Sequence, residues 1–466
     1  MKLIKKGLIA FAILGFILEG FSQENILPLK LSVIDAQNYA LQNNRAIQSS
    51  KIDIEIAKKK VWETTAIGLP QFSIATSFTH QFEVTKFPMG GGLNPDKLGA
   101  MAPNTPLTNT NLLSSFDPPE MTPMGKENNT TFDFTLSQLI FSGEYIVGLQ
   151  AARIYKEISE KSFVKTEIQT KESVANSYFI VLVLDENLKV LKNSYKAIDQ
   201  TYNEMVKMNE QGFTEQTDVD QLKISKSNVQ TLITSLEAQK DVSTKLLKLQ
   251  LGVEFTQEIE LTDSLSTIIN QNNLSYLSKM DYSVDGNIDY QLINTQEKLM
   301  ELSLKRIKST FLPTVSAYYR HQELLDEPLI NFQPKDILGV SINIPIFSSG
   351  QRLSQVSQAR LDLEKTRLSK KDVSQSLILE FEKAQSDYQT AFSNFTMNKE
   401  SMELSKRVYD KTIVKYREGV SSSFELSQNQ NQFLTAESNY FNSVLSLLSA
   451  KVKLDRILNK YEGLKK

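Results

Sequence analysis

The sequence predicts a mainly α-helical chain with a small β part, in which long antiparallel coiled-coil helices carry four strands of membrane-spanning length. Three observations predict it. Very long stretches carry no proline, several short segments alternate apolar and polar side chains, and one half of the chain can be laid upon the other.

The repeat comes first, because it organises everything else. An offset of 207 places Gly143 on Gly350, Ala152–Arg153 on Ala359–Arg360, Glu157 on Glu364, Tyr202 on Tyr409 and Gly212 on Gly419. Upstream, Leu69–Pro70 falls on Leu312–Pro313 at 243, and Ile140-Phe141-Ser142 falls on Ile346-Phe347-Ser348 at 206. The insertions therefore lie between Pro70 and Ile140. Two copies of one unit are expected, at 23–286 and 287–466.

Residues 1–22 read as a signal peptide. Lys2, Lys5 and Lys6 precede an apolar run from Gly7 to Leu18, with small Gly20 and Ser22 near the expected cleavage point. Removing them takes away three lysines and Glu19, moving the formal charge from −2 to about −4. No basic excess points to nucleic acid. The absence of cysteine excludes disulfides, thiolate metal sites, thiol nucleophiles and a lipid-modified cysteine. Beyond the signal no window of 18 residues is apolar enough to span a bilayer as a helix. A spanning chain would have to use strands.

Each copy opens with a helix, from about Val33 to Ile67 and from about Ile288 to Leu312. Both stop before a proline, Pro70 or Pro313, which cannot donate into a helix and forces its predecessor extended. Strands are expected at about 71–84 and 130–141, then at about 314–323 and 337–347. Phe72, Ile74, Phe78, Phe82 and Val84 alternate with Ser73, Ser77 and Thr79; Leu338, Val340, Ile342, Ile344 and Ile346 alternate with Gly339, Ser341 and Asn343. Each segment is about the ten residues a tilted membrane strand needs. Four strands cannot close a barrel, since about eight are needed and lipid tolerates no open edge, so several copies must share one.

The long helices are expected at 144–211 and 351–418, each roughly 100 Å at about 1.5 Å per residue. Leu184, Leu188, Leu191, Tyr195, Ile198, Tyr202 and Met205 alternate spacings of four and three, a coiled-coil seam. Shorter helices follow at about 217–251, before a linker at 252–286, and at about 424–459. On the last, Leu426, Phe433, Tyr440, Leu447 and Leu454 lie seven apart. Gly212 and Gly419 turn the chain between antiparallel helices, where positive φ costs glycine little.

Two motifs recur in both copies. One is the strand-to-helix junction Ile344-Pro345-Ile346-Phe347-Ser348-Ser349-Gly350, with its earlier version Gln138-Leu139-Ile140-Phe141-Ser142-Gly143. The other is a tip glycine followed six residues later by an acid and an aliphatic, Gly212…Asp218-Val219 and Gly419…Glu425-Leu426. With the doubled plan, these make the chain resemble the TolC family of outer-membrane efflux and secretion channels over essentially its whole mature length.

The resemblance implies a homotrimer in the outer-membrane lipid, whose twelve strands form one barrel and whose helices form a tunnel across the periplasm. It implies a passive duct of a tripartite efflux or type I secretion system, with no enzymatic activity and no cofactor. The partners would be a periplasmic adaptor (membrane fusion) protein and an inner-membrane pump. The adaptor would meet the tips at Gly212, Phe213, Gly419 and Val420. Glu425 matches the first acid of a carboxylate ring at the pore mouth, Asp218 is its first-copy counterpart, and Tyr416 matches an aromatic that helps hold the mouth closed. The chain departs from the family at Gln428, where a second acid is common, and at Ser421, where a basic partner stands in relatives.

Other readings compete less well. His80 and His321 have no ligand cluster in the sequence, and no metal site is expected. The 84–129 insert carries Met89, Met101, Met121 and Met124, which invite a copper reading, but prolines and glycines there predict an irregular external loop. No phosphate loop, catalytic triad or paired-carboxylate pocket emerges. The alternative from another class is a secreted or periplasmic coiled-coil scaffold or adhesin without a pore.

Overall fold

A computed structural model describes residues 28–100, 109–114, 116–270, 282–325, 331 and 333–460. The expected signal peptide lies outside them. The chain divides into two compact units, each drawing on both halves of the sequence. One comprises the residues up to Asp53, Glu160–Leu292 and the chain from Lys371 onward; the other comprises Ile54–Ser159 and Ile293–Lys370.

The chain begins with β1 (Leu29–Leu31), α1 (Val33–Asn43), α2 (Arg45–Ala66) and β2 (Gln71–His80). The insert holds β3 (Lys86–Met89), α3 (Pro95–Gly99), α4 (Asn109–Ser114) and β4 (Glu120–Pro123). Then come β5 (Asn128–Ser142), α5 (Gly143–Glu210), α6 (Gln216–Leu251), β6 (Ile259–Leu261) and α7 (Leu265–Asn270). The second half supplies α8 (Ile288–Ser309), β7 (Thr314–Leu324), β8 (Asp336–Asn343), α9 (Gln351–Arg417) and α10 (Ser423–Ile457). Among the described residues no helix is long and apolar enough to cross a membrane.

In the strand-bearing unit, one antiparallel sheet runs in the order β2-β5-β7-β8. Opposed residues share a face, and the register sets Ile74 against Phe134, Leu136 against Tyr319, and Tyr319 against Leu338. One face is therefore apolar, with Leu338 81% exposed. The other is polar: Ser77 and Thr131 share a hydroxyl contact at 2.6 Å, and Asp133 accepts from Gln322 at 3.0 Å with Arg320 at 4.0 Å. Gly339 faces Tyr318, whose ring would lie 2.5 Å from any Cβ placed there.

Four expectations for this unit need correction. β2 ends at His80 and not at 84, so Phe82 and Val84 lie beyond it. β8 ends at Asn343, short of the expected 347, because Pro345 has no N–H to continue a ladder. A bulge between Leu139 and Phe141 puts Phe141 opposite Val315, shifting the alternation that the sequence carried straight through Ile140. The described residues of the insert are not wholly irregular: β3 and β4 pair antiparallel, and Asn94 and Lys97 each reach Asp117 at 2.8 Å. Its register opposes Met121 to Pro88 and Met89 to Glu120, so Met89 and Met121 face opposite ways. Met101 lies outside the described residues.

His321 also has more company than the sequence suggested. Strand pairing brings Asp336 to 2.7 Å from Nδ1, while Glu323 lies 3.2 Å from Nε2. Tyr319 donates to the same Asp336 at 2.6 Å. Among the described residues no group of three or more His, Asp or Glu side chains is arranged to hold a metal ion.

The other unit is helical around a parallel β1–β6 pair. Buried Tyr178 donates to the Leu31 carbonyl at 3.0 Å and accepts the Asp263 N–H at 3.3 Å, fastening that pair to α5. The α5 seam is buried at Leu184, Leu188, Leu191, Ile198 and Met205, and the α10 seam at Leu426, Phe433, Leu447 and Leu454. Each such leucine contributes about 2 kcal/mol by burial. Arg456 reaches Glu172 at 3.2 Å and also Glu380, tying α10 to α5 and α9.

The expected helix 33–67 is in fact two. Asn44, at φ −63 and ψ 132, leaves the helix and caps α2 by accepting the Ala46 N–H at 2.8 Å. Its amide donates to the Gln250 carbonyl at 2.6 Å, satisfying an orphan acceptor at the end of α6. The break is thus made by a contact 206 residues away, invisible to local helix pattern.

Candidate functional site

Both hairpin tips are built by the same backbone device. At the end of α5, Gly212 at φ 78 donates to the Asn209 carbonyl and Phe213 donates to Met208, each at 2.9 Å. At the end of α9, Gly419 at φ 71 donates to Tyr416 at 3.0 Å and Val420 to Lys415 at 2.9 Å. These are Schellman closures, which consume the last helical carbonyls and require a left-handed residue. Gly252 and Asn459 close α6 and α10 the same way, at φ 77 and φ 56. Gly252 and Asn459 are again 207 apart.

Beneath the tips lies an apolar cluster of Met205, Val219, Leu222, Tyr409, Tyr416, Leu426 and Phe433. Tyr409 and Phe433 stack with centroids 5.6 Å apart. Tyr416 is buried here with its hydroxyl unpartnered, and burial first, then the nearby Asp218 charge, push it up to about 12. Its ring packs, and its hydroxyl stays protonated.

Polar contacts join the two tips around this cluster. Ser423 donates to Asp218, which is half-buried, and also approaches Gln221 at 3.3 Å. Ser225 meets Ser427 at 3.1 Å, and Arg417 pairs with Glu204 at 3.3 Å. Asp218 and Glu425, equivalent by sequence offset, therefore differ in surroundings. Glu425 is exposed and accepts from Ser421 at 2.7 Å, while Ser422 caps its backbone N–H at 3.2 Å. Ser421 thus engages this carboxylate through a neutral hydroxyl. Gln428 is exposed one turn further on.

The tip ends are apolar and uncovered within the chain: Phe213 is 73% exposed and Val420 75%, and Phe424 is exposed beside them. Ser423, four residues past the tip glycine, carries no periodic signal in the sequence; its contacts with Asp218 and Gln221 make it the link between the hairpins. Sequence reading passed over Gln430 and Glu437, which fall on the α10 seam at four-residue steps after Leu426 and Phe433. That spacing was a readable signal.

A family model described as outer membrane efflux protein matches residues 37–253 and 308–460. Among solved structures, the Campylobacter jejuni CmeC outer membrane channel is similar at 17% identity and TM-score 0.67, covering 91% of this chain and 85% of that one. The Vibrio cholerae outer membrane protein VceC is similar at 15% identity and TM-score 0.68, covering 91% and 95%. The open state of the Neisseria gonorrhoeae MtrE outer membrane channel is similar at 14% identity and TM-score 0.63, covering 91% and 88%. No curated protein matches the sequence.

Proposed function

Because the chain belongs to the outer membrane efflux protein family, a family of non-enzymatic channels, we propose that three copies share one twelve-stranded barrel and form the exit duct of a tripartite export system. The observation that carries this is the open sheet. β2 and β8 are its two edges, and its apolar face is uncovered. Lipid offers no hydrogen bonds to an open edge, so both edges call for partners.

Four strands is an even number, so β8 runs antiparallel to β2. The β8 edge of one copy therefore pairs with the β2 edge of the next without breaking the alternation, and the ring closes with every backbone group satisfied. The choice of three copies follows the family pattern. The helical hairpins extend into the periplasm, and their tips dock a periplasmic adaptor that links the duct to an inner-membrane pump. Exposed Phe213 and Val420 suit an apolar contact with the adaptor, and Glu425, repeated around the ring, biases the mouth toward cations.

Disulfide trapping tests the closure, since the chain has no cysteine of its own. Ser77→Cys is combined in turn with Ile337→Cys and with Ser341→Cys, and outer-membrane preparations are oxidised. A covalent trimer from one of the pairings is the expected result. Monomers from both, or recovery of the protein in a detergent-free periplasmic extract, would sink the proposal.

A further inference from the structure

A cavity of about 260 Å³ lies between α5, α6 and α10, at the level of the seam and away from the tips. Its wall is largely leucine: Leu184, Leu191, Leu232, Leu236 and Leu445 line it, together with Phe441. Asn187, Gln239 and Asn442 add neutral polar groups, and Glu437 is the one ionisable residue of the lining. Glu437 is 2% exposed, and neither of its carboxyl oxygens has a hydrogen-bond partner.

A carboxylate in that position is costly, because a buried charge needs a counter-charge or hydrogen-bond donors. The surrounding seam would accept a leucine. We infer that the cavity is a binding site for a small amphiphilic amine, whose ammonium pairs with the Glu437 carboxylate while its apolar body lies against the leucine wall.

Three features select this chemistry. The lining holds no cation to satisfy Glu437, so the ligand brings the positive charge. The wall is apolar, so the ligand has a hydrocarbon or aromatic body. At the roughly 30 Å³ that a water-sized group occupies in a liquid, the volume holds on the order of nine non-hydrogen atoms. Anions are excluded by the carboxylate. Burial raises the Glu437 carboxyl to about 7, so at neutral pH it is poised to give up its proton to an arriving ammonium's benefit. Every lining residue comes from one chain, and the inference rests on neither barrel closure nor adaptor docking.

Calorimetry on the detergent-solubilised full-length protein tests it, with phenethylamine and its neutral isostere 2-phenylethanol as probes. Phenethylamine is expected to bind at least tenfold more tightly than the alcohol. At pH 6 its binding should release protons, read as a heat that changes with the ionisation enthalpy of the buffer. Glu437→Gln should bring the two probes within about twofold, and Leu236→Trp, which fills the cavity, should abolish both heats. Equal affinities for the two probes on the unaltered protein, an amine preference that survives Glu437→Gln, or no heat from either probe would each overturn the inference.

Discussion

The hydroxyl of Ser423, on the second hairpin, donates to the carboxylate of Asp218 on the first. The two tips are therefore joined by a charge-assisted hydrogen bond at the rim of their shared apolar cluster. Such bonds contribute about 1.5–3 kcal/mol when shielded, and the partial exposure of Asp218 puts this one below that range. A double-mutant cycle of Asp218→Asn and Ser423→Ala is expected to give a coupling of about 1 kcal/mol in denaturant unfolding. Additive effects would mean that the contact does not hold the tips together.

Glu425 stands outside that tie, exposed, with its carboxylate accepting from Ser421 and its backbone N–H capped by Ser422. Glu425→Gln is expected to lower cation preference in planar-bilayer recordings without changing stability by more than about 0.5 kcal/mol. Gln428→Glu should move selectivity the opposite way by adding a second carboxylate one turn along. Unchanged reversal potentials in both variants would remove Glu425 from the pore mouth.

The glycines at the helix ends separate two costs. At Gly212 and Gly419 a Cβ would meet no atom within 4 Å, so the only penalty is the left-handed backbone. Alanine there should cost about 1 kcal/mol. At Gly252 the same Cβ would come within 2.3 Å of the Asn43 carbonyl oxygen, which is backbone and cannot turn aside. Gly252→Ala should therefore lower the melting temperature well below Gly212→Ala and Gly419→Ala; equal shifts would deny the close approach. A bulky residue at Gly419 should leave the oligomer assembled while export fails.

Glu437 makes stability depend on pH in the direction opposite to a paired carboxylate. Its folded carboxyl is raised by burial from 4.5 to about 7, so the folded state keeps the proton longer than the unfolded chain does. The associated stability is complete below pH 4.5 and lost as the pH rises through 7, a change of roughly 3 kcal/mol. Glu437→Gln should flatten this profile, leaving the variant more stable than the parent at pH 8 and little different at pH 4.5. Parallel pH curves for the two proteins would contradict it.

Legibility in the sequence followed the range of the interactions. The α5 and α10 seams were readable because a helix repeats its buried face every three or four residues whatever it packs on. The tip glycines were readable because a left-handed turn after a long helix has few other residues to choose from. Where the deciding contact came from elsewhere, local pattern failed. The break at Asn44 depends on the Gln250 carbonyl, the bulge at Ile140 on pairing with β7, and the company of His321 on the register that brings up Asp336.

By itself, then, the sequence determined the long helices, the four sheet strands, their order, the apolar strand face and the positions of the tips, since each is set by periodicities and backbone preferences internal to a segment; the short β1–β6 pair and the elements of the insert carry no such period. Tertiary structure alone decided that Asp218 is tied to Ser423 while Glu425 stays open, and that Glu437, on the seam, meets no partner. Those outcomes depend on which segments pack side by side, and packing between distant segments leaves no period in the chain.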